Sequence, residues 1–430
     1  MKVIVLGAGV VGATTALVLA ERGVDVVLVE RENEAAAGTS HANGSGLTPC
    51  HAEPWNPPGT FAKLPDALLH GDRPWRMRLS ALPGMFGWGL KFLANSRASR
   101  YYRNAAHCVR LGLYSTACMG PLRQRHALEY RQITRGSLEL YFSADDLEAA
   151  IELRRRLKLP GDLPGIDYRQ LDRAELVAAE PALEPVAGRV HGTLLFPVHE
   201  SGDACEFSRE AVARAIGLGA EVRFGTPVER IVADSGRFRA VATGSGEIEA
   251  DACIVATGCD SPVLLRPLGL RVPICPVKGY SATIEIDPGD PAPTLPLLDL
   301  ERRFVTARLG PNRLRIAGLA EFAGRDLSID PRRLRLLLEN AAALLPRLRT
   351  KILGSDPHAW AGLRPMTPDG PPLIGPTPIG GLHLNTGHGA MGWTQAAGSA
   401  ELVADLVTGR TPAIDPAGLL PERFLGPSVG

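Results

Sequence analysis

The sequence predicts an α/β fold that opens with a β-α-β nucleotide-binding unit, and three observations carry that prediction. A short β-branched run, Lys2 to Leu6, precedes the spacing Gly7-Ala8-Gly9-Val10-Val11-Gly12. A second apolar run, Val26 to Val29, ends on the acid Glu30. Near the other end of the chain, Leu382 to Asn385 leads through Gly387-His388-Gly389 into residues at helical spacing.

Composition sets the outer limits. With 430 residues, 45% hydrophobic and 22% charged, the chain is ordinary globular protein with enough length for more than one core. Lys+Arg at 47 against Asp+Glu at 46 leaves a net charge of +1, which gives no overall field to hold nucleic acid or an anionic membrane. The seven cysteines form no C-x-x-C pair and read as reduced thiols in a cytosolic protein without a metal site. Val3 to Ala20 carries no charge, as a signal peptide would, but the spaced glycines, the closing Glu21-Arg22 and the following apolar run favour a soluble β-α-β unit.

The elements follow in order. Lys2 to Leu6 suits a buried parallel strand, Val10 to Arg22 a helix, and Val26 to Val29 the second strand. Gly7 permits the tight strand-to-helix turn, Gly9 lets backbone approach a diphosphate, and Gly12 lets the helix pack against the strand. The free N–H groups of the helix start, at Val10 and Val11, and its dipole would hold the phosphates. Glu30 offers a carboxylate to ribose hydroxyls and would repel a 2′-phosphate, with Arg31 beside it. This motif alone does not separate FAD from NAD. The chain then runs through Gly38-Thr39-Ser40-His41-Ala42-Asn43-Gly44-Ser45-Gly46-Leu47, whose small and hydroxyl residues suit a second close approach to a cofactor. Ala220 to Phe224 and Ala252 to Ala256 are further strand candidates, the latter ending in Thr257-Gly258. The last helix, Thr394 to Val407, is ended by Gly409, and its N-terminus would face the electron-accepting end of a flavin.

These residues resemble a known family. The fingerprint with Glu30, the Thr39-Ser40-x-x-Asn43-Gly44 loop, Thr226-Pro227-Val228, Ala256-Thr257-Gly258, the run Gly362 to Gly370 and the closing Gly387-His388-Gly389 are similar to the D-amino acid oxidase superfamily. Pro54-Trp55, Pro276-Val277-Lys278-Gly279-Tyr280 and Thr408 to Pro412 extend the likeness over nearly the whole chain, and within the superfamily it is strongest to the FAD-bearing small subunits of the bacterial D-amino acid dehydrogenases. The resemblance implies a Rossmann-like FAD-binding domain of the discontinuous glutathione-reductase type, plus an α+β substrate domain with an antiparallel sheet. The FAD-binding parts would be 1–49, 195–272 and 354–430, and the substrate parts 50–194 and 273–353. Gly7, Gly9 and Gly12 would bind the diphosphate, Glu30 the ribose, Val228 the adenine through its backbone, and Ser40, Asn43 and Gly44 the middle of FAD. Gly389, Ala390, Met391, Gly392, Trp393 and Thr394 would approach the flavin ring.

The implied reaction is FAD-dependent oxidative deamination of D-amino acids to 2-oxo acids and ammonia, by hydride transfer from the α-carbon. Electrons would pass to a quinone or other non-oxygen acceptor. The protein must hold the substrate carboxylate, and Arg364, within a run of rigid turn residues, is the bidentate candidate the resemblance supports. An α-amine can shed its proton to water on binding, so no general base is required. Tyr280 is a candidate to donate its hydroxyl to substrate, and His51, following the flavin loop, to line the pocket. Relatives that tether the flavin do so through a cysteine where this chain has Gly362, so non-covalent FAD is expected. Glycine-oxidising relatives carry an arginine where this chain has Ala390, which implies a larger or less polar substrate side chain. The alternatives are a secondary-amine enzyme on the same fold, acting on D-proline, hydroxy-D-proline or N-methyl glycine, and a flavin-holding subunit of a hetero-oligomer.

Pro54 to Leu93, with Trp55, Trp75, Phe86, Trp88 and Phe92, reads either as a lid, as an apolar face for a quinone or for peripheral contact with the inner membrane, or as core packing. Leu334 to Leu348, flanked by arginines, reads as a packed helix ahead of a membrane-surface one. From about Pro412 the chain reads as an irregular tail.

Overall fold

The computed structural model describes residues 1–60, 74–157 and 166–426. Its first sheet is made of strands whose side chains are apolar on both faces, as strands covered on both sides can be. The order is Leu373–Pro376, Leu382–Thr386, Ala252–Val255, Lys2–Leu6, Asp25–Val29 and Glu221–Arg223, parallel throughout except for the first. Helices Val10–Glu21, Ala204–Gly217 and Gly392–Thr408 cover one face, and Ala98–His126 packs outside them. On the other face lies an antiparallel sheet of Val228–Asp234, Arg237–Thr243 and Gly246–Glu249. Ile231, Phe238, Val241 and Ile248 from it bury Ile4, Val27 and Cys253. Gly409, at φ +70°, ends the last long helix in the left-handed conformation that glycine adopts without strain.

The second sheet has nine strands among the described residues. His358–Met366 forms one edge, followed by Cys275–Glu285, Arg313–Phe322, Phe304–Arg308, Leu297–Asp299, Ser137–Tyr141, Gly192–Phe196 and Arg169–Leu171, with Trp75–Met77 paired to Arg313–Phe322. It is antiparallel apart from two pairings. Helix Pro331–Leu344 lays Leu337, Leu338 and Ala341 against Ile284, Leu314 and Ile316, so the arginine-flanked leucine run is core packing. Two segments cross the boundaries expected from sequence. Ala98–His126 packs on the first unit, and His358–Met366 belongs to the second sheet.

The aromatic stretch resolves in part into helix Leu82–Asn95, whose Trp88 and Phe92 pack with Val277 and Phe322 while Phe86 and Leu90 stay exposed. Residues 61–73 of that stretch lie outside the described residues. The C-terminal tail is irregular in path yet fastened: Leu419 is fully buried and Arg423 pairs with Asp369 at 2.7 Å. Among the described residues no helix is long and apolar enough to cross a membrane.

Candidate active site

A cleft of about 800 Å³ runs between the two sheets, from Glu30 and Val228 at one end to the turn before the last helix at the other. At the first end Gly7 takes φ +96°, and a Cβ there would press on the Ala256 carbonyl oxygen at 3.0 Å. Helix Val10–Glu21 starts on Gly9, which offers no side-chain cap, and has no acid in its first turn, so the positive dipole end and the N–H groups beyond Val10 are open to an anion. The Val10 N–H donates to Ser40 Oγ at 2.9 Å, which brings the downstream loop onto the same site. Glu30 accepts from the N–H of Ala8 at 2.6 Å and of Glu32 at 3.0 Å, which fixes its carboxylate at the strand end. Val228, Thr257 and Gly258 also border the cleft. Arg31 is instead engaged by a neighbour: it meets Asp260 at 2.8 Å, and Arg325 from the second unit takes the other Asp260 oxygen, so the three clasp the rim.

In the middle, Ser40, Asn43, Gly44 and Gly46 border the cleft, and the loop is tied to the second sheet. Ser281 donates to the Ala42 carbonyl at 2.6 Å and Arg315 to the Asn43 carbonyl at 3.1 Å. At the far end Gly389 takes φ +57°, with Ala390, Met391, Gly392 and Thr394 beside it. Helix Gly392–Thr408 also begins without a side-chain cap or first-turn acid, leaving its positive end toward the cleft. His388 is buried with no partner on Nε2 among the described residues, and burial pulls it down to about 3, so it stays neutral.

Four expectations need correction. Tyr280 borders the cleft, but its hydroxyl is spent on Glu321, to which it donates, and its ring packs with Ala282 and Ile284 in the second core. Leu47 is fully buried in the first core and does not line the cleft. Trp393 borders the cleft but packs its ring against Tyr130 and Phe207 in the core. Gly12 lies behind the cleft, where a Cβ would fall onto the Gly7 carbonyl oxygen; its task is helix-to-strand packing alone.

Arg364 stands on strand His358–Met366, not in a turn, and points into the cleft. Gly279, diagonal to it on the neighbouring strand, leaves the room that its guanidinium occupies. The guanidinium donates to the Leu319 carbonyl at 3.0 Å and lies 5.4 Å from the Trp55 ring centre. Among the described residues no carboxylate pairs with it, and desolvation alone pulls it down to about 10. A cation withdrawn from bulk water with no anion beside it is built to receive one. His51 borders the same cleft. Trp360, which borders the cleft, and Glu139, which faces His51, carried no local signal, because only the folded chain brings them there.

The donor set fits FAD: an uncapped helix start for the diphosphate, a terminal acid for the ribose, and a second uncapped helix start at the ring end. Comparison with known proteins agrees. The family model described as DAO, FAD dependent oxidoreductase, matches residues 2–406. A D-amino acid dehydrogenase of Paramagnetospirillum magneticum is 44% identical, over 99% of each chain. Among solved structures, L-proline dehydrogenase from P. horikoshii superposes with a TM-score of 0.75 at 18% identity over 98% of this chain and 97% of that one. Glycine oxidase from Geobacillus kaustophilus gives 0.74 at 22% over the whole of both.

Proposed function

The chain belongs to the DAO family of FAD-dependent oxidoreductases, and we propose that it oxidises D-amino acids to 2-oxo acids and ammonia. The observation that carries this reading is Arg364, a cation without a carboxylate among the described residues, in the same cleft as the two uncapped helix starts. FAD, when bound, supplies the hydride acceptor. Arg364 would hold the substrate carboxylate by its forked N–H groups, and the Trp55 ring on the guanidinium restricts its swing. Fixing the carboxylate fixes the α-carbon against the Gly389 to Thr394 turn, so that orientation is the protein's main contribution. The open end of helix Gly392–Thr408 would stabilise negative charge gained there on reduction.

Non-covalent attachment of FAD is part of the proposal. Residue 362 has no nucleophile, and a Cβ there would fall onto the Trp360 ring. Cys259, which borders the cleft, has its thiol pushed up to about 12 by burial and is not a thiolate at neutral pH. Acid precipitation of the purified protein therefore releases all flavin into the supernatant; yellow pellets would contradict this. Electrons go to a quinone or another non-oxygen acceptor, with contact at the inner membrane peripheral, which fractionation at low and high salt tests.

The activity test is dye-linked turnover against a panel of D-, L- and cyclic amino acids. Turnover of primary D-amino acids supports the reading. Turnover of cyclic amines alone replaces it with a secondary-amine enzyme, and no turnover with FAD bound replaces it with a flavin-holding subunit.

A further inference from the structure

Behind His51 the fold buries a group of charges that carboxylate binding and hydride transfer leave unused. His51 ends the short turn Pro49–His51 at the edge of the cleft. Its Nδ1 is buried and faces two carboxylates, 3.4 Å from Glu53 Oε1 and 3.8 Å from Glu139 Oε1, with no completed hydrogen bond among the described residues. Glu139, on strand Ser137–Tyr141, is fully buried. Its Oε2 accepts from Arg154 at 2.7 Å and from the Tyr141 hydroxyl at 2.6 Å, whereas Oε1 has no hydrogen-bond partner among the described residues.

Carboxylate oxygens accept, so the imidazole nitrogen that faces two of them is the one placed to carry the proton. The neutral ring is then the Nδ1–H tautomer, and its lone pair sits on Nε2. That atom is accessible and takes no hydrogen bond among the described residues. The other titratable groups around His51 are Glu53 on its own loop, Glu139, Tyr141 and Arg154 behind it, Cys50 beside it, and His199. Burial holds His199 well below the usual histidine range and pushes the Cys50 thiol up to about 12, so neither trades protons near neutral pH. Trp55, four residues along the same segment, reaches the Arg364 guanidinium. One stretch of backbone therefore runs from the carboxylate anchor to an imidazole lone pair, and an α-amino acid carries its carboxylate and ammonium on one carbon.

Resting on the amino acid oxidation proposed above, we propose that His51 Nε2 takes a proton from the substrate ammonium before the α-hydrogen leaves, with Glu53 and Glu139 as positioning residues that fix the ring tautomer. The ammonium N–H bond breaks, its electron pair stays on nitrogen, and the proton forms the second N–H of the imidazole. The nitrogen lone pair so freed is the pair that would close the C=N bond of the iminium product as the α-hydrogen leaves with its electrons, for which bound FAD would supply the acceptor. His51 then returns its proton to water.

Anaerobic reduction of the FAD-loaded protein by D-alanine, followed by loss of flavin absorbance from mildly acidic to alkaline pH, tests this. His51→Gln is expected to slow reduction about a hundredfold at neutral pH and to regain rate at alkaline pH, where the free amine is already present. Glu53→Gln, at a partly exposed position that leaves the Glu139–Arg154 pair intact, is expected to slow reduction about tenfold with flavin content unchanged. His51→Gln with the wild-type rate and pH profile overturns the proposal, and so does an equal loss at every pH, which would mark a packing role. If no D-amino acid reduces the wild type, the proposed function falls and this inference with it. If the wild type is reduced and His51→Gln matches it, this inference falls alone.

Discussion

Arg364 shows how one residue's setting decides its use. Its charge is neither spread over water nor cancelled by a neighbour; its fixed contacts among the described residues are a carbonyl and an aromatic face. On the proposed role, replacing Arg364 with Ala would remove two charge-assisted hydrogen bonds to the substrate carboxylate, about 3 kcal/mol, so KM for the amino acid should rise about a hundredfold while flavin content holds. Unchanged KM in steady-state assays would remove the assignment. Arg364 was legible because its motif run marks it, and the glycines were legible because close backbone approach excludes other residues. Tyr280 was not: a tyrosine beside Gly279 looks equally placed on either face of a strand, and a register shift between Lys278 and Tyr280 decides which way it turns. The Glu139 carboxylate at His51 was also invisible, since it comes from strand Ser137–Tyr141, far along the chain, and meets His51 only in the folded chain.

At the scale of elements, the opening β-α-β unit was readable nearly to the residue, because its apolar runs, glycines and terminal acid are all local. Strand His358–Met366 was not. Its Pro365 suggested a turn, yet proline is tolerated in an edge strand, where one side of the backbone has no ladder to complete. Pro276, opposite it, lies before the point where Cys275–Glu285 pairs with its other neighbour, so it too costs no bond. Gly12 makes the sharpest claim about an element. A methyl at Gly12 must displace the Gly7 carbonyl, which is backbone and cannot swing aside. Gly12→Ala should cost at least about 3 kcal/mol and shift the diphosphate turn, giving a lower Tm and flavin-poor protein. A fully yellow variant with unchanged Tm would contradict the packing role.

At the scale of the whole molecule, the second sheet draws its strands from segments scattered between Trp75 and Met366, and such non-local pairing leaves no local trace in sequence. The family resemblance supplied its existence; the structure supplied its order and the cleft it forms with the first sheet. The fold also commits buried imidazoles to neutrality. Burial lowers His383 to about 4 and His388 to about 3 and holds His199 well below the usual histidine range, while the unfolded chain protonates near the ordinary value of about 6.5. Between those limits the unfolded state binds more protons. The stability contribution is therefore full above pH about 6.5 and lost as pH falls toward 4, by about 1 kcal/mol per pH unit for each histidine. Thermal melts should show Tm flat near neutrality and falling steadily below pH about 6, with a shallower fall in His383→Asn; a pH-independent Tm would contradict the burial.

Everything functional depends on a flavin that D-amino acids can reduce in this cleft. Anaerobic mixing of the FAD-loaded protein with each enantiomer of alanine measures that directly. The D form should discharge the oxidised flavin absorbance and leave pyruvate and ammonia once an artificial acceptor is added, while the L form leaves the spectrum unchanged. Bleaching by the L form, or by neither, would contradict the account.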